Sequence, residues 1–532
     1  MEVELKLLVD AQYQNAILSH PALGASDGAR PREQVQVDTY FDTPDLKLRK
    51  RHIGLRIRRA KGRWVQNIKG DGQADGGLHS RAEWERPVAG PVPELDHLDT
   101  LIDDKAVRRG LDDAPALERR LAPVFATNVR RTAWDVQLQD GGHVECVLDR
   151  GTLECGAQKI PISELELELK SGDVRQLFDL ALALQEHIPV QLGNQSKADR
   201  GYALLSAQPQ GAVKASRPAL SRGMSTEQAF VAIAATCLAH IQGNRQGVAD
   251  GRDGESLHQM RVGMRRLRSA LGMFKKMIAL DAALQTELGW LAGELGEARD
   301  WDVLSAATLP ALVQQGAAAA PVDGVRQAAA ETAQAHRQRS AVAVDSPRYS
   351  HLMLALSRWI HTAGWREAEA GDTQSADRQS GDRPPGTTQP GDGARAAELA
   401  RPVEKFARKV LRRDHRRLRR RARNLAAATP AMRHRLRIAA KKSRYATEFF
   451  SALFSAKSVR PYVKRLTGLQ DELGLLNDYA VAEQLLTGLA EERPEIDAGA
   501  CYIKGFLAAR AESENPRVLR LWKRFAPLPR PG

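Results

Sequence analysis

Glu2, Glu4 and Lys6 alternate with Val3, Leu5 and Leu7 at the start of the chain, and Glu164, Glu166, Glu168 and Lys170 repeat the alternation later. Successive side chains of a strand point to opposite faces, so each stretch presents one charged face and one apolar face. A merely solvated face has no reason to sort its charges by sign. Here they are sorted. Strand-like stretches between the two acidic ones carry bases on a shared face: Arg56 and Arg58 in Gly54-Leu-Arg-Ile-Arg-Arg59, and Lys69 in Trp64-Val-Gln-Asn-Ile-Lys69. If such strands close into an antiparallel barrel, the apolar faces turn outward under helices, and carboxylates and guanidinium groups gather round one lumen. Clustered carboxylates repel unless a cation joins them, and hard oxygen ligands suit Mg²⁺ or Mn²⁺. Neighbouring Arg and Lys suit phosphate oxygens, which arginine grips through two N–H groups at once. A metal beside a phosphate clamp is the apparatus of phosphoryl transfer.

A chain of 532 residues is too long for one core and implies about two or three domains. Its 79 Lys+Arg against 65 Asp+Glu give a net charge of +14, which predicts attraction to polyanions without naming one. The four cysteines, Cys146, Cys155, Cys237 and Cys501, show no paired spacing. That argues against a thiolate metal site or a disulfide framework and fits a reducing compartment. The N-terminus is acidic where a secretory signal is basic and then apolar, and no apolar run approaches the roughly 20 residues of a membrane span. A cytoplasmic protein without a membrane partner is expected.

Up to about Leu205 the pattern is of strands with a few helices, punctuated by turn signals such as Lys61-Gly62 and Asp140-Gly-Gly142. Residues 206–223 read as a linker. From Thr226 onward Ala, Leu, Arg and Glu recur with helical period. A stretch rich in Gly, Asp, Gln, Thr and Pro, residues 369–398, is predicted to be disordered and to divide a helical domain, 224–525, into halves of about 224–368 and 399–525. The halves repeat each other. His258, Arg261, Arg265 and Arg268 correspond to His434, Arg437, Lys441 and Arg444, each at an offset of 434 − 258 = 176. Glu294-Leu-Gly296 with Asp300 corresponds to Glu472-Leu-Gly474 with Asp478, at 178, although Arg299 is answered by Asn477. On a helix the four basic positions fall within about a quarter of the circumference, beside an apolar stripe of Leu257, Met260, Met264, Leu267 and Leu271. Stacked like charges repel, and an anionic ligand would relieve them. Lys405 to Arg423 is more basic still but lacks the ordered spacing, and reads as a supplementary surface.

Residues 1 to about 205 resemble the CYTH superfamily, the triphosphate tunnel metalloenzymes. The resemblance rests on an ordered set: Glu2-x-Glu4-x-Lys6, Tyr40-Phe-Asp-Thr-Pro-Asp45, Leu55-Arg56-x-Arg58, Lys69, Arg81-x-Glu83, Arg131 with Trp134, Glu145, Asp149, Glu166-x-Glu168, and Ser196-Lys197 before Arg200-Gly-Tyr202. Residues from about 224 to 525 resemble the CHAD domain, through His258 and His434 with their basic followers and the two Leu-Gly-x-x-x-Asp segments.

The resemblance implies an α+β chain: an eight-stranded antiparallel tunnel that hydrolyses a triphosphate with Mg²⁺ or Mn²⁺, then an all-α duplicated bundle that binds inorganic polyphosphate. Carried over position by position, Glu2, Glu4, Glu166 and Glu168 hold metal, assisted by Asp149 and Glu83. Lys6, Arg56, Arg58, Lys69, Arg81, Arg131 and Lys197 bind the phosphates. His258, Arg261, Arg265, Arg268, His434, Arg437, Lys441 and Arg444 contact polyphosphate. Glu164 is an extra acid, at the tunnel mouth or as a third ligand, and the Tyr40 to Asp45 stretch reads as a turn after a strand. Inorganic tripolyphosphate is the expected substrate, and association with polyphosphate granules is the matching location. The alternatives are a tunnel enzyme acting on an organic triphosphate, as an adenylate cyclase or thiamine triphosphatase, or an inactive polyphosphate-binding protein. Nucleic acid is disfavoured, because the basic helices lack the interleaved aromatics that stack bases and aromatics are only 5% of the chain.

Overall fold

A computed structural model of the chain describes residues 2–24, 31–111, 114–138, 141–206, 211–251, 254–366 and 392–532. The alternating segments form nine strands: β1 (Glu2–Val9), β2 (Arg32–Asp42), β3 (Gly54–Ala60), β4 (Arg63–Asp75), β5 (Leu78–Val88), β6 (Ala122–Gln137), β7 (His143–Cys155), β8 (Gln158–Ser171) and β9 (Val190–Leu192). Their order is β5-β4-β3-β2-β6-β7-β8-β1-β9, and a further antiparallel pairing of β1 with β5 closes β1 to β8 into the expected eight-stranded barrel.

The apolar faces turn outward, as the alternation requires. Leu5 and Leu7 of β1 and Leu165 and Leu167 of β8 pack with Leu177, Phe178, Ala181 and Leu184 of the helix Val174–Gln185. Asp173 starts that helix in a reciprocal cap with Gln176. On another side Leu55, Ile57 and Ile68 are covered by Leu98, Ile102, Val107 and Leu111. With those faces committed outward, the charged faces of the same strands turn to the lumen. Adjacent strands then set Glu4 opposite Glu168 and Lys6 opposite Glu166. A bulge in β4 between Lys69 and Gly72 keeps Lys69 opposite Glu83. Glycine is required there, because a Cβ at residue 72 would lie 2.5 Å from the Cβ of Arg81.

The chain divides into two compact units, Met1–Gly211 with Pro347–Gly364, and Ala212–Ser346 with Trp365–Gly532. The helix Pro347–His361, from the middle of the stretch expected to form the helical domain, thus belongs with the barrel. Its Leu354 is 1% exposed and shares the core of Leu5, Phe178 and Leu184. Arg358 pairs with Asp179 at 2.6 Å, and His361 stacks on Phe178.

In the second unit the duplicated motifs occupy equivalent helices. Gly254–Phe274 and Pro430–Phe449 carry the basic ridges, and Ala282–Asp302 and Ala456–Glu492 carry the Leu-Gly segments. Residues 211–221 have no regular structure, but they are tied down: Val213 exchanges hydrogen bonds with the side chain of Asn244. Residues 369–391 of the segment expected to be disordered lie outside the described residues, as do 207–210 of the linker and Asp140 of one turn. The end of that segment departs from the expectation: Asp392–Ala400 is a helix. Glu398 there pairs with Arg401 at 2.9 Å and Lys409 at 3.4 Å, partners that a reading of composition overlooks. The four cysteines are free, and among the described residues no helix is long and apolar enough to cross a membrane.

Leu354→Ala should cost the barrel unit about 2–5 kcal/mol, because a fully buried side chain is removed from a packed core. Hydrogen exchange checks this: protection should fall in β1 and Val174–Gln185, while Gly254–Phe274 stays unchanged.

Candidate active site

The barrel encloses a cavity of 840 Å³. Glu2, Glu4, Lys6, Arg56, Arg58, Lys69, Arg81, Glu83, Arg131, Glu166, Glu168 and Lys197 all line it, which is every expected site residue of this unit except Asp149. Eleven of them project from strands, and Lys197 is the first residue of the helix Lys197–Leu204, whose start is fixed by a reciprocal cap between Ser196 and Asp199.

One wall is basic. Arg56 and Arg58 of β3 both reach Asp38 of β2, at 3.0 and 3.1 Å, and Asp38 is only 1% exposed. Burial alone would raise the Asp38 pKa, but the two guanidinium groups overcome it and hold the carboxyl below its usual range. Asp38 was not among the residues singled out in the sequence, although Gln36-x-Asp38-x-Tyr40 alternates as β1 does. Tyr40 likewise does more than precede a turn, since its hydroxyl accepts from Arg56 at 3.4 Å. The turn itself is real: Asp42 accepts from the backbone of Thr43, Leu48 and Arg49 and from the Tyr202 hydroxyl.

Another wall is a dense charge network that reaches from the lumen into the buried Asp149 and Glu164. Asp149, Glu164 and Glu166 each bring a carboxylate oxygen within 4.8 Å of the others, a spacing that could hold an ion. Lysines and an arginine already fill it. Lys197 pairs with Asp149 at 2.7 Å, Glu166 at 3.0 Å and also Glu164; Lys6 pairs with Glu164 at 3.3 Å and with Glu166; Arg131 pairs with Asp149 at 2.6 Å. Burial would push both ammonium groups toward neutrality, yet the surrounding acids drive their pKa values upward. Glu164, 0% exposed, neither sits at the mouth nor lines the cavity, and its second oxygen accepts from Arg200 at 3.3 Å.

Other acids of the lumen are less saturated than Glu166. Glu4 has Lys6 only at 3.9 Å and Glu168 directly across the strand pair. Glu2 and Glu83 are hydrogen-bonded to each other: burial and then that bond push Glu2 up to about 8, while against burial the bond to Glu2 and then Lys69, paired at 2.6 Å, hold Glu83 below its usual range. Two carboxylates that must share a proton, beside a third with a distant partner, form an oxygen-only set that fits a hard divalent cation. Glu145 is spent elsewhere, on Arg32 and Lys170 at 2.9 and 3.0 Å.

In the helical unit the duplicated ridges meet. Arg261 donates to the Gly296 carbonyl at 2.6 Å and pairs with Asp300 at 3.1 Å, and Arg437 lies 3.7 Å from Asp478. The repeated Leu-Gly-x-x-x-Asp segments therefore steer the repeated arginines. Burial first, then Arg437 and Arg265, pushes Lys441 down to about 7, so bases of both halves face one another. Burial and Arg299 push His258 down to about 4, leaving it neutral at pH 7; His434 is exposed and bonded to Asn477 at 2.8 Å. Arg444 turns to Glu448 at 3.6 Å, and Arg268 is exposed.

Glu164→Gln should lower stability by about 3–5 kcal/mol, since it strands buried ammonium groups. Glu168→Gln, at the lumen wall, should leave the melting temperature near wild type. Thermal unfolding of the two variants in metal-free buffer checks the contrast.

Comparison with known proteins follows the same division. Residues 1–202 match the family model of the CYTH domain and residues 232–487 that of the CHAD domain. An inorganic triphosphatase from Haemophilus influenzae is 34% identical over 217 residues, 39% of this chain and 56% of the relative, so the match spans about half that protein's length. The crystal structure of the CHAD domain from the plant Ricinus communis aligns with 61% of this chain and 99% of its own, at 35% identity and a TM-score of 0.51. A Hippeastrum protein described by its dominant triphosphatase activity covers 38% of this chain and 96% of its own at 18% identity and a TM-score of 0.30, a likeness too weak to bear on function. The chain belongs with the proteins in which a CYTH domain is followed by a CHAD domain.

Proposed function

We propose that the tunnel hydrolyses the terminal phosphoanhydride of an inorganic triphosphate with the help of Mg²⁺ or Mn²⁺, and that the helical unit binds inorganic polyphosphate. The observation that carries the first part is a lumen with a basic wall, Arg56, Arg58, Lys69, Arg81 and Arg131, facing carboxylates that are not all satisfied. The relative from Haemophilus influenzae, an inorganic triphosphatase, supports the same reading. The cavity's two tyrosines are poor stacking platforms for an organic base. Tyr40 is 5% and Tyr202 8% exposed, and both pack on Phe125. That favours an inorganic substrate over a nucleotide or thiamine triphosphate.

Arg56, Arg58, Lys69 and Arg81 would grip the oxygens of the phosphate chain and hold the terminal phosphorus in place. Lys6, Lys197 and Arg131 stay charged whatever the pH near neutrality, because their acids hold them so. Glu2, Glu4, Glu83 and Glu168 would hold the cation, with Glu166 at its edge. A bound divalent ion neutralises phosphate oxygens and eases deprotonation of water. Water attacks the terminal phosphorus, the bond to the bridging oxygen breaks, and pyrophosphate and phosphate leave.

Glu4→Gln should keep the fold and lose roughly 100-fold or more of the activity, and excess EDTA should do the same to wild type. The check is phosphate release from tripolyphosphate, pyrophosphate, ATP and thiamine triphosphate with and without Mg²⁺. Near-normal tripolyphosphate turnover in EDTA would remove the metal from the reading; preference for ATP would move the substrate to the organic class.

For the ridges the pH dependence follows from Lys441, which faces Arg437, Arg265, Arg261 and Asp478. Its folded pKa, about 7, lies below the usual lysine value, so it is charged below pH 7 and must take up a proton to help bind an anion above it. Polyphosphate affinity should fall severalfold from pH 6 to pH 8, and Lys441→Arg should flatten the slope. Fluorescence anisotropy of labelled polyphosphate at fixed ionic strength measures both.

A further inference from the structure

His79 lies on β5 directly across from Glu4 of β1 and is 2% exposed. Both of its ring nitrogens are committed. Nε2 is 2.8 Å from the carbonyl oxygen of Gly193, and Nδ1 is 3.3 Å from Nη2 of Arg81. A carbonyl can only accept a hydrogen bond and a guanidinium can only donate one. The two partners therefore fix the ring as neutral, with the proton on Nε2 and a lone pair on Nδ1. An imidazolium, or the other tautomer, would set N–H against N–H toward Arg81. Burial and the Lys6 ammonium both push the His79 pKa down, in keeping with that state.

Each end of the ring meets part of the lumen's cationic set. The Gly193 amide donates to the Lys6 carbonyl at 2.8 Å, and a Cβ at residue 193 would lie 2.9 Å from Cγ of Lys6. Asn194 accepts from the Gly77 amide at 2.8 Å, so the residues after β9 are stitched both to β1 and to the start of β5. On the other side Arg81 shares the lumen face of β5 with His79, two residues on, opposite Glu2. We propose that His79 is a positioning residue for the tunnel: it aims the Arg81 guanidinium along the lumen through Nδ1, while its Nε2–H bond to the Gly193 carbonyl ties β5 to the segment held by β1 and serves stability. This rests on the reading of Arg81 as a phosphate contact.

Two substitutions separate the two ends of the ring. Asparagine places an amide oxygen near the position of Nδ1 and keeps an acceptor for Arg81; glutamine places an NH₂ near the position of Nε2 and keeps a donor for Gly193. In the full-length protein, tripolyphosphate binding is measured by calorimetry in metal-free buffer, alongside melting temperature. His79→Asn should bind within about twofold of wild type but melt several degrees lower. His79→Gln should melt near wild type but bind about tenfold more weakly, close to Arg81→Ala, and the double variant should be no weaker than Arg81→Ala alone. Wild-type affinity in His79→Gln beside a weakened Arg81→Ala would overturn the positioning role. Unchanged binding in Arg81→Ala would instead overturn the reading of Arg81, and the proposal with it. Should the His79 variants fail to fold, ¹⁵N NMR of the native ring decides: an Nε2–H tautomer at pH 7 whose Nδ1 resonance moves in Arg81→Ala is expected, and an imidazolium or Nδ1–H tautomer would overturn it.

Discussion

A closed barrel with an ionic interior can exist only if nearly every charge that the closure buries meets an opposite one. Moving an isolated ammonium or carboxylate out of water costs several kcal/mol, and pairing offsets that cost only when geometry and additional hydrogen bonds are good. The network of Lys6, Lys197, Arg131, Asp149, Glu164 and Glu166 meets the condition, with each ammonium facing at least two acids. Strand register makes this possible. β1 and β8 put Lys6 opposite Glu166, and β6 and β7 put Arg131 opposite Asp149, so a slip of one residue would carry the whole charged set to the apolar side.

The same requirement explains the outer layer. The charged lumen forces Leu5, Leu7, Leu165 and Leu167 outward, where they need a cover. The helix Val174–Gln185 supplies much of it, Ile17, Leu23 and Ile188 add to it, and Pro347–His361 contributes Leu354. The barrel unit is thus completed by residues more than a hundred positions downstream of its last strand, although the family matches divide the chain at about residue 202.

Much of the site was legible because period-2 alternation is a strong signal: it placed Glu2, Glu4, Lys6, Arg56 and Arg58 on lumen faces without any knowledge of the fold. What alternation does not convey is how deep a residue lies. Glu164 and Glu166 look identical in sequence, yet one is sealed between ammonium groups and the other borders the cavity, because Lys197 enters from a helix start whose approach no local pattern announces. Asp38 and His79 are inconspicuous for a similar reason, since their partners Arg58 and Gly193 are brought to them by long-range pairing. The helix Pro347–His361 shows the limit for domains: its composition matches its neighbours in sequence, and long-range contacts, among them those of His351, Leu354, Arg358 and His361, assign it to the barrel.

The two units meet crowded charge in opposite electrostatic ways, which bears on how each would hold a phosphate chain under the proposed function. In the tunnel, acids lift the pKa values of Lys6 and Lys197, so the cations are fixed but already engaged, and an incoming anion must compete with their carboxylates. On the helical ridges burial, and then crowding by neighbouring bases, depresses Lys441, Arg261, Arg437 and His258, and nearby acids such as Asp300, Asp478 and Glu255 do not offset it. Such a surface is strained without an anion and relaxed by one. Under the proposed function it would need no metal, would favour ligands with many charges over ligands with few, and would loosen with salt more than a saturated lumen does.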